Sequence, residues 1–201
     1  MSEPHARRPR CNRCALPLRT CLCALVTSVP NAIDVLVLQH PDEAGEAKGS
    51  ARLMRLSLAR CRVVVGEAFD PQFLLGLLDR DVSGSTLLYP SDTGEGTGVP
   101  LRGPEPRRLV VLDGTWRKSL RMLHANPLLQ TLPRWSAAAQ PARYRALRKA
   151  PRPAQLSTLE ATCAALAELE SAPARYAPLL SAFDRFVADR AARAPREAAP
   201  E

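Results

Sequence analysis

The sequence has no apolar run approaching the ~20 residues that a membrane-spanning helix requires. Its first ten residues, M-S-E-P-H-A-R-R-P-R, carry charges with no apolar stretch behind them, which argues against a secretory signal. The glycines match neither the G-K-[S/T] phosphate loop nor the G-x-G-x-x-G dinucleotide pattern, and no internal repeat is present. These absences exclude a membrane span and a nucleoside triphosphate site of the usual kind. They favour a cytoplasmic protein.

The composition is that of a globular protein. The chain has 201 residues, of which 46 % are apolar and 24 % charged. This length suits one domain with appendages and is enough to bury a sizeable core.

The positive charge is unevenly distributed. The net charge is +8, yet residues 101–160 hold 12 Lys/Arg against 3 Asp/Glu, while residues 24–100 hold 6 against 10. A solvated face is the usual explanation of such a run. An imbalance of this size beside a predicted pocket favours a polyanionic partner, of which nucleic acid is the commonest.

Strand-like and helix-like patterns alternate along the chain, which predicts an α/β fold with a mainly parallel sheet flanked by helices. Residues 127–142 are expected to be irregular, with Trp135 in a pocket or in the core. The loop at 91–106 is rich in Gly and Pro, and residues 192–201 are expected to be disordered. Strands are predicted at residues 33–38, 62–65, 86–89, 109–112 and 143–148. Helices are predicted at 50–61, at 69–78, after Gly114, from Ser157 to at least Leu169, and from Tyr176 to at least Phe186.

Residues 107–126 form the stretch with the clearest functional pattern. A buried strand of four apolar residues ends at Asp113-Gly114, and a helix follows. Ligands of open α/β sheets collect at the carboxyl ends of strands, so Asp113 is a candidate site residue. The alternative is that Asp113 or Thr115 caps the helix and that Trp116 fills the core.

Four of the six cysteines lie close together near the N-terminus. They form a C-x2-C pair, six intervening residues and a C-x-C pair. Disulfides are rare in cytosolic chains, and four thiolates satisfy a tetrahedral zinc ion, so the cluster predicts a closed structural zinc site. A redox pair or incidental thiols are the alternatives. The predicted ligands are Cys11, Cys14, Cys21 and Cys23.

Five motifs in order resemble the DTW-domain family: C-x2-C-x6-C-x-C, Q-H-P-x-E, L-L-Y-P, D-G-T-W and L-S-T-L-E-A. The match runs from about residue 11 to about residue 169. The family includes the tRNA-uridine aminocarboxypropyltransferases, and its fold type resembles the knotted SPOUT methyltransferases. The chain is expected to divide into a four-cysteine zinc segment at residues 1–30, a catalytic domain at 31–190, and a disordered tail at 191–201. The resemblance implies that the catalytic domain is a DTW domain of SPOUT-like α/β type.

The activity implied by the resemblance is transfer of the 3-amino-3-carboxypropyl group from S-adenosylmethionine to N3 of a tRNA uridine, with release of methylthioadenosine. Asp113 would act as general base or as an orienting group, and Trp116 would stack on the flipped uracil. The expected catalytic residues are Asp113, Thr115 and Trp116. The expected donor-binding residues are Leu88, Tyr89, Asp113, Gly114, Leu156, Ser157 and Thr158. The expected RNA-binding residues are Arg117, Lys118, Arg143, Arg145, Arg148, Lys149 and Arg152. Arg117 and Lys118 would pair either with the donor's carboxylate or with an RNA phosphate.

Several assignments have alternatives. Ser157 and Glu160 form a capping-box pattern, so this turn has a structural role whether or not it binds the donor. His40 and Glu43 match a family motif without an evident role, and His40 is expected to be a structural hydrogen-bonding residue. A SPOUT-like RNA methyltransferase and a non-catalytic zinc-containing RNA-binding protein are the competing functions. The sequence is compatible with a monomer or a homodimer.

Overall fold

The protein is built around one five-stranded parallel sheet. The structure is a computed structural model that describes residues 9–45, 50–80, 82–90, 106–136 and 156–193. The strands lie in the order β2-β1-β4-β3-β5, and every neighbouring pair is parallel. Their bounds are β1 Asp34–Gln39, β2 Cys61–Val65, β3 Ser85–Leu88, β4 Arg108–Asp113 and β5 Arg134–Trp135. The predicted α/β fold with a parallel sheet is confirmed.

Helices cover both faces of the sheet. Their bounds are α1 Pro41–Ala44, α2 Ala51–Ser57, α3 Pro71–Leu77, α4 Trp116–Ala125, α5 Pro127–Gln130, α6 Thr158–Leu169 and α7 Ala177–Ala192. Two of them begin at the caps that their sequences indicate. Asp70 accepts a hydrogen bond from the Phe73 N–H at the start of α3, and Ser157 and Glu160 form a complete capping box on α6.

Two predictions of local structure are wrong. The helix expected over residues 50–61 ends at Ser57, because the chain turns extended at Leu58 and Cys61 pairs with Val35 as the first residue of β2. The stretch 127–142 is not wholly irregular, since it contains α5 and the edge strand β5. Because β5 pairs with β3 through only two residues, its pattern is too short to recognise in a sequence. The strand predicted at 143–148 lies outside the described residues.

The alternation of side chains divides the core into two layers. In β1, Val35 and Val37 pack on the side of α2, α6 and α7, whereas Leu36 and Leu38 pack on the side of α3, α4 and α5. Both layers are apolar because a parallel sheet is buried on both faces. The carboxyl ends of β1, β4 and β3 lie side by side along one edge of the sheet, between these two layers.

Glu170 fixes the direction of α6. Its carboxylate accepts hydrogen bonds from the backbone N–H groups of Ala32 and Ile33, which precede β1. The carboxyl end of α6 thus lies at the amino edge of the sheet. A helix of 12 residues rises ~18 Å, about the length of a six-residue strand, so Ser157 and Thr158 lie toward the carboxyl edge.

The N-terminal segment packs on α7 and shares its core. Cys14, Leu16 and Leu22 are buried in the same apolar layer as Phe183 and Phe186. Arg190 of α7 donates a hydrogen bond to a backbone carbonyl of this segment, that of Thr20, at 2.7 Å.

None of the helices in the described part of the chain has both the length and the apolar character needed to span a bilayer.

Candidate active site

Asp113 is the last residue of the central strand β4 and is 7 % exposed. It lies opposite Gln39, the last residue of β1, and its Oδ2 accepts a hydrogen bond from Gln39 Nε2 at 2.8 Å. Among the described residues Asp113 Oδ1 makes no hydrogen bond. Asp113 is not the helix cap, because Thr115 Oγ1 accepts from the Lys118 N–H at the start of α4. Gln39 therefore binds one oxygen of this buried carboxylate and leaves the other oxygen available as a hydrogen-bond acceptor.

The Asp113 carboxylate lies on the side of the sheet covered by α2, α6 and α7. It shares this side with Leu109 and Val111, four and two residues earlier in β4. Its partner Gln39 lines a cavity of about 250 Å³. The other lining residues are Ala15, Glu43, Ala44, Arg52, Arg55, Val63 and Val65. The cavity next to Gln39 is thus lined by one acidic side chain, Glu43, and two basic ones, Arg52 and Arg55.

A larger cavity of about 460 Å³ lies at the opposite, amino edge of the sheet. Arg60, Arg107 and Arg108 face Asp34 and Asp79 there, and the Arg60–Asp34 and Arg108–Asp79 ion pairs balance most of the charge. Size alone would favour this cavity. The carboxyl edge is the better candidate because ligands of parallel sheets bind where the strands end.

An aromatic stack lies on the other side of the same carboxyl edge. The Trp116 and Tyr89 rings are 5.1 Å apart between centroids and inclined by 13°, and the Arg134 guanidinium lies 5.6 Å from the Tyr89 centroid. Tyr89 is buried, whereas Trp116 is 58 % exposed. Trp116 therefore does not fill the core. One face of its indole packs on the buried Tyr89 ring, and the exposed indole surface is suited to stacking against another planar ring.

Gly114 separates the Asp113 side from the Trp116 side. A Cβ at this position would lie 3.1 Å from Lys118 Cβ and 3.6 Å from His40 Cβ, so a side chain would crowd the turn. The His40 backbone N–H donates to the Asp113 carbonyl at 2.9 Å. The turn that connects Asp113 to Trp116 is thus held close to the end of β1.

His40 is a buried structural contact of this turn. Its Nδ1 accepts a hydrogen bond from the Asp42 N–H and caps α1, so a neutral ring carries its proton on Nε2. That Nε2 lies 3.5 Å from Glu67 Oε2 without forming a hydrogen bond among the described residues. These contacts hold the start of α1 and the turn after β4, which is the role expected of a structural hydrogen-bonding residue.

The two expected RNA-binding residues of α4 have different surroundings. Lys118 Nζ lies 2.8 Å from Glu43 Oε1 and 3.3 Å from Asp42 Oδ2, and the hydrogen bond to Glu43 raises the pKa of Lys118. Arg117 is exposed on the same helix. The five others, Arg143, Arg145, Arg148, Lys149 and Arg152, lie outside the described residues.

The expected donor-binding residues divide between the two sides. Leu88 packs with the layer beneath α6, and Ser157 and Thr158 lie toward the same edge, whereas Tyr89 belongs to the α4 side. Leu156, just before α6, is 41 % exposed. Leu88, Asp113 and Gly114 thus lie at the carboxyl edge of the sheet, and the role of the whole set in donor binding stays a prediction.

The four clustered cysteines are arranged to bind a metal. Their Sγ atoms all lie within 4.8 Å of one another, with Cys11 and Cys23 3.6 Å apart and Cys14 and Cys21 3.7 Å apart. A tetrahedral zinc ion with Zn–S bonds of ~2.3 Å requires S–S separations of about 3.8 Å. Backbone N–H groups of Cys14 and Arg13 lower the pKa of the Cys11 thiol to about 6, whereas burial and the neighbouring thiols raise the pKa of Cys23 to about 12. The donor set therefore fits a zinc site with four thiolate ligands.

Sequence reasoning missed three contributors to this edge. Gln39 was visible in the Q-H-P-x-E motif, but its contact with Asp113 joins residues 74 positions apart. Arg134 was hidden in a stretch interpreted as irregular. Arg121, whose Nη2 lies 2.7 Å from Glu67 Oε1, carried no signal beyond its charge.

Comparison with known proteins identifies similar sequences. The model of the DTW domain matches residues 8–191. The chain is 31 % identical over 182 residues to tRNA-uridine aminocarboxypropyltransferase 2 of Drosophila melanogaster, covering 86 % of this chain and 71 % of that protein. It is 30 % identical over 178 residues to the protein of the same name in Macaca fascicularis, covering 84 % and 59 %. It is 24 % identical over 152 residues to tRNA-uridine aminocarboxypropyltransferase A of Arabidopsis thaliana, covering 63 % and 54 %. No solved structure matches the chain.

Proposed function

Because this chain belongs to the DTW domain family, we propose that it transfers the 3-amino-3-carboxypropyl group of S-adenosylmethionine to N3 of a uridine in tRNA. The similar proteins named tRNA-uridine aminocarboxypropyltransferase support this activity. The observation that carries it is the arrangement at the end of β4. A carboxylate held by Gln39 and an exposed indole lie on the two sides of one glycine turn.

The proposed reaction breaks one bond and forms one. Uridine N3 forms a bond to the carbon of the amino-acid arm attached to the sulfonium, and the C–S bond to that carbon breaks. The bonding electrons stay on sulfur, which leaves as methylthioadenosine, and the N3 proton must be removed. Transfer of this arm rather than the methyl group requires that the donor be held in one orientation.

Asp113 is the proposed catalytic residue. An anionic carboxylate here attracts the positively charged sulfonium and can accept the N3 proton through the oxygen that Gln39 does not hold. Leu88, Gly114, Leu156, Ser157 and Thr158 would surround the donor on the α6 side. Trp116 would stack on the flipped uracil, with Tyr89 behind it and Thr115 holding the start of α4.

Product analysis tests the proposal. The protein is incubated with tRNA and S-adenosylmethionine labelled in the carboxypropyl arm, and the tRNA is digested to nucleosides for mass spectrometry. The expected result is label on uridine with release of methylthioadenosine. Release of S-adenosylhomocysteine would identify a methyltransferase instead, and tRNA that is bound but unmodified would identify a non-catalytic RNA-binding protein.

The cysteine cluster is proposed to hold a structural Zn²⁺ through Cys11, Cys14, Cys21 and Cys23. Four protein thiolates leave no position for water or substrate, so the ion would stabilise the fold and take no part in the transfer. Thiolate ligands require reduced cysteines. Together with the tRNA substrate, this supports a cytoplasmic site of action.

The finer fold class is proposed to be SPOUT-like, with a knot. The crossover that inserts β4 between β1 and β3 in an all-parallel sheet supports this class. Residues 91–105 and 137–155, which connect β3 to β4 and β5 to α6, lie outside the described residues, so an experimental structure that traces both segments is the test of a knot. The basic residues at 143–152 are proposed to contact tRNA phosphates, which position the RNA without specifying its sequence.

A further inference from the structure

The exposed face of α4 continues from Trp116 along the helix. Trp116 is 58 % and Leu120 39 % exposed, and Arg117, Arg121 and His124 are exposed as well. At 100° per residue these five side chains span one side of the helix, because they follow the spacing i, i+1, i+4, i+5 and i+8. The buried residues Met122 and Leu123 point to the opposite side, into the core. We call these five exposed residues the α4 face.

The α4 face is basic and contains no carboxylate. Asp113 is the last acidic residue before Glu160, so the sequence from 114 to 159 holds Lys and Arg but no Asp or Glu. Among the described residues, the carboxylates that pair with α4 side chains come from other elements and lie along one border of the face. Asp42 and Glu43 pair with Lys118, which lies outside the face, and Glu67 pairs with Arg121 at its edge.

The helix is long enough to guide a strand away from the proposed uridine site. From Trp116 to His124 the axis rises ~12 Å, which corresponds to three or four stacked nucleotides at ~3.4 Å each. An apolar residue between cations suits an RNA strand, because Leu120 can contact a sugar or base while the cations contact phosphates. A face meant for a second copy of the chain would more commonly lack charges at its centre.

We propose that the α4 face binds the RNA strand next to the target uridine, with Arg117, Arg121 and His124 contacting phosphates and Leu120 lying against the nucleotides. This inference rests on the proposed function, since it takes Trp116 as the stacking position from which the strand runs. It adds Leu120, Arg121 and His124 to the RNA contacts. It also gives the strand a direction across the molecule, along α4 and away from the sheet edge.

Charge substitution at Leu120 tests the proposal. Leu120→Glu places a negative charge at the centre of the face, and Leu120→Lys places a positive one. For single-stranded contacts each phosphate neutralised changes the slope of log K against log salt by ~0.7, which is about fivefold in affinity at 0.1 M salt relative to 1 M. We therefore expect Leu120→Glu to raise the Kd for tRNA about fivefold and Leu120→Lys to lower it about fivefold, measured without donor.

Val187 provides the matched control. It lies on α7, on the other side of the sheet, and is 43 % exposed. Val187→Glu and Val187→Lys should each leave the Kd within about twofold of the wild-type value. Arg121→Gln should weaken binding and reduce the salt slope by ~0.7. Equal effects of the two charges at Leu120, or no effect of either, would overturn the proposal.

Two readouts separate this proposal from its alternatives. If the face joins two copies, the RNA-free protein will sediment as a dimer, and both Leu120 variants will shift it to a monomer, which contradicts RNA binding here. If wild-type protein gives no aminocarboxypropyl product but the charge dependence at Leu120 is observed, the proposed reaction fails while the RNA face stands. If product forms but Leu120 is insensitive to charge, the face fails and the reaction stands.

Discussion

Asp113 is the residue on which the proposed chemistry depends most directly. Asp113→Asn keeps the size of the side chain and an oxygen that can accept from Gln39 Nε2, but it removes the negative charge. We expect a loss in transfer rate of about a hundred- to ten-thousandfold, the range usual for a lost general base. Single-turnover formation of the modified nucleoside is the measurement, and tRNA affinity should stay close to that of the wild type.

Donor affinity distinguishes the two contributions of the carboxylate. If Asp113 mainly attracts the sulfonium, Asp113→Asn will weaken donor binding, and if it mainly accepts the proton, donor binding will persist while chemistry is lost. Asp79→Asn is the control, because Asp79 is an exposed carboxylate at the opposite edge of the sheet. Full activity in Asp113→Asn would refute the assignment.

Trp116 gives a second prediction at the scale of the residue. Its indole is mostly exposed and rests on Tyr89, so its removal should leave the fold intact. Stacking on a base contributes ~1–3 kcal/mol, so Trp116→Ala should raise the Kd or KM for tRNA by roughly five- to 150-fold. Trp116→Phe should retain most of the affinity. Unchanged binding by Trp116→Ala, measured by fluorescence anisotropy, would exclude the stacking role.

The site could be predicted from the sequence where the signal is local. The strand that stops at Asp113, the cap at Thr115 and the D-G-T-W motif are all contained within a few residues. The Gln39 contact, and the division of Asp113 and Trp116 between two sides of the sheet, could not be predicted. They depend on strand order and register, which join residues far apart in the chain.

At the scale of the element, Glu170 links the end of α6 to the start of β1. Its side chain is 3 % exposed and accepts from two backbone N–H groups, from Arg175 and from the Tyr176 hydroxyl. Hydrogen bonds to a charged group contribute ~1.5–3 kcal/mol, and donors left without partners add to the loss, so Glu170→Ala should lower the free energy of unfolding by about 2–4 kcal/mol in urea titrations. Glu168→Ala, an exposed position on the same helix, should change it by less than ~0.5 kcal/mol.

Tyr176 makes this link sensitive to alkaline pH. Burial and the hydrogen bond to Glu170 raise the pKa of Tyr176. A raised folded pKa means that the neutral phenol stabilises the fold fully below the unfolded value of ~10, and that this contribution is lost as pH rises toward the folded value. Stability should therefore fall above pH ~10 in the wild type and fall less steeply in Tyr176→Phe. Identical pH profiles would contradict this assignment.

Long elements and helices with a clear N-terminal cap could be predicted from the sequence, whereas short elements without such signals could not. The capping box of α6 and the Asp70-Pro71 start of α3 are marked by residues that satisfy helix N–H groups locally. The end of α2 was misjudged because apolar residues continue beyond Ser57 into the turn and β2. The two-residue strand β5 exists only because β3 supplies its partner.

At the scale of the whole molecule, the cysteine-rich segment and the α/β fold share one core. Cys14, Leu16 and Leu22 pack in the layer that contains Phe183 and Phe186 of α7, and the α7 helix also donates a hydrogen bond to the segment's backbone. The sequence marked the cysteines as a separate segment but carried no signal for this packing, which joins two parts of the chain far apart in sequence. The segment is therefore proposed to be a structural part of the domain.

Removal of the metal tests this coupling. Structural zinc contributes folding free energy to the segment that binds it. Because this segment shares a core with α7, removal of zinc should lower the free energy of unfolding of the whole domain. A loss of about 3 kcal/mol corresponds to roughly 10 °C in Tm for a chain of this size, so chelation, Cys11→Ser and Cys23→Ser should each lower the Tm of the entire protein by at least that amount in one calorimetric transition. Cys61→Ala, which removes a thiol outside the cluster, should leave one zinc per chain by elemental analysis. Two separate transitions, with the main one unshifted, would show an independent segment, and absence of zinc with harmless cysteine substitutions would remove the site altogether.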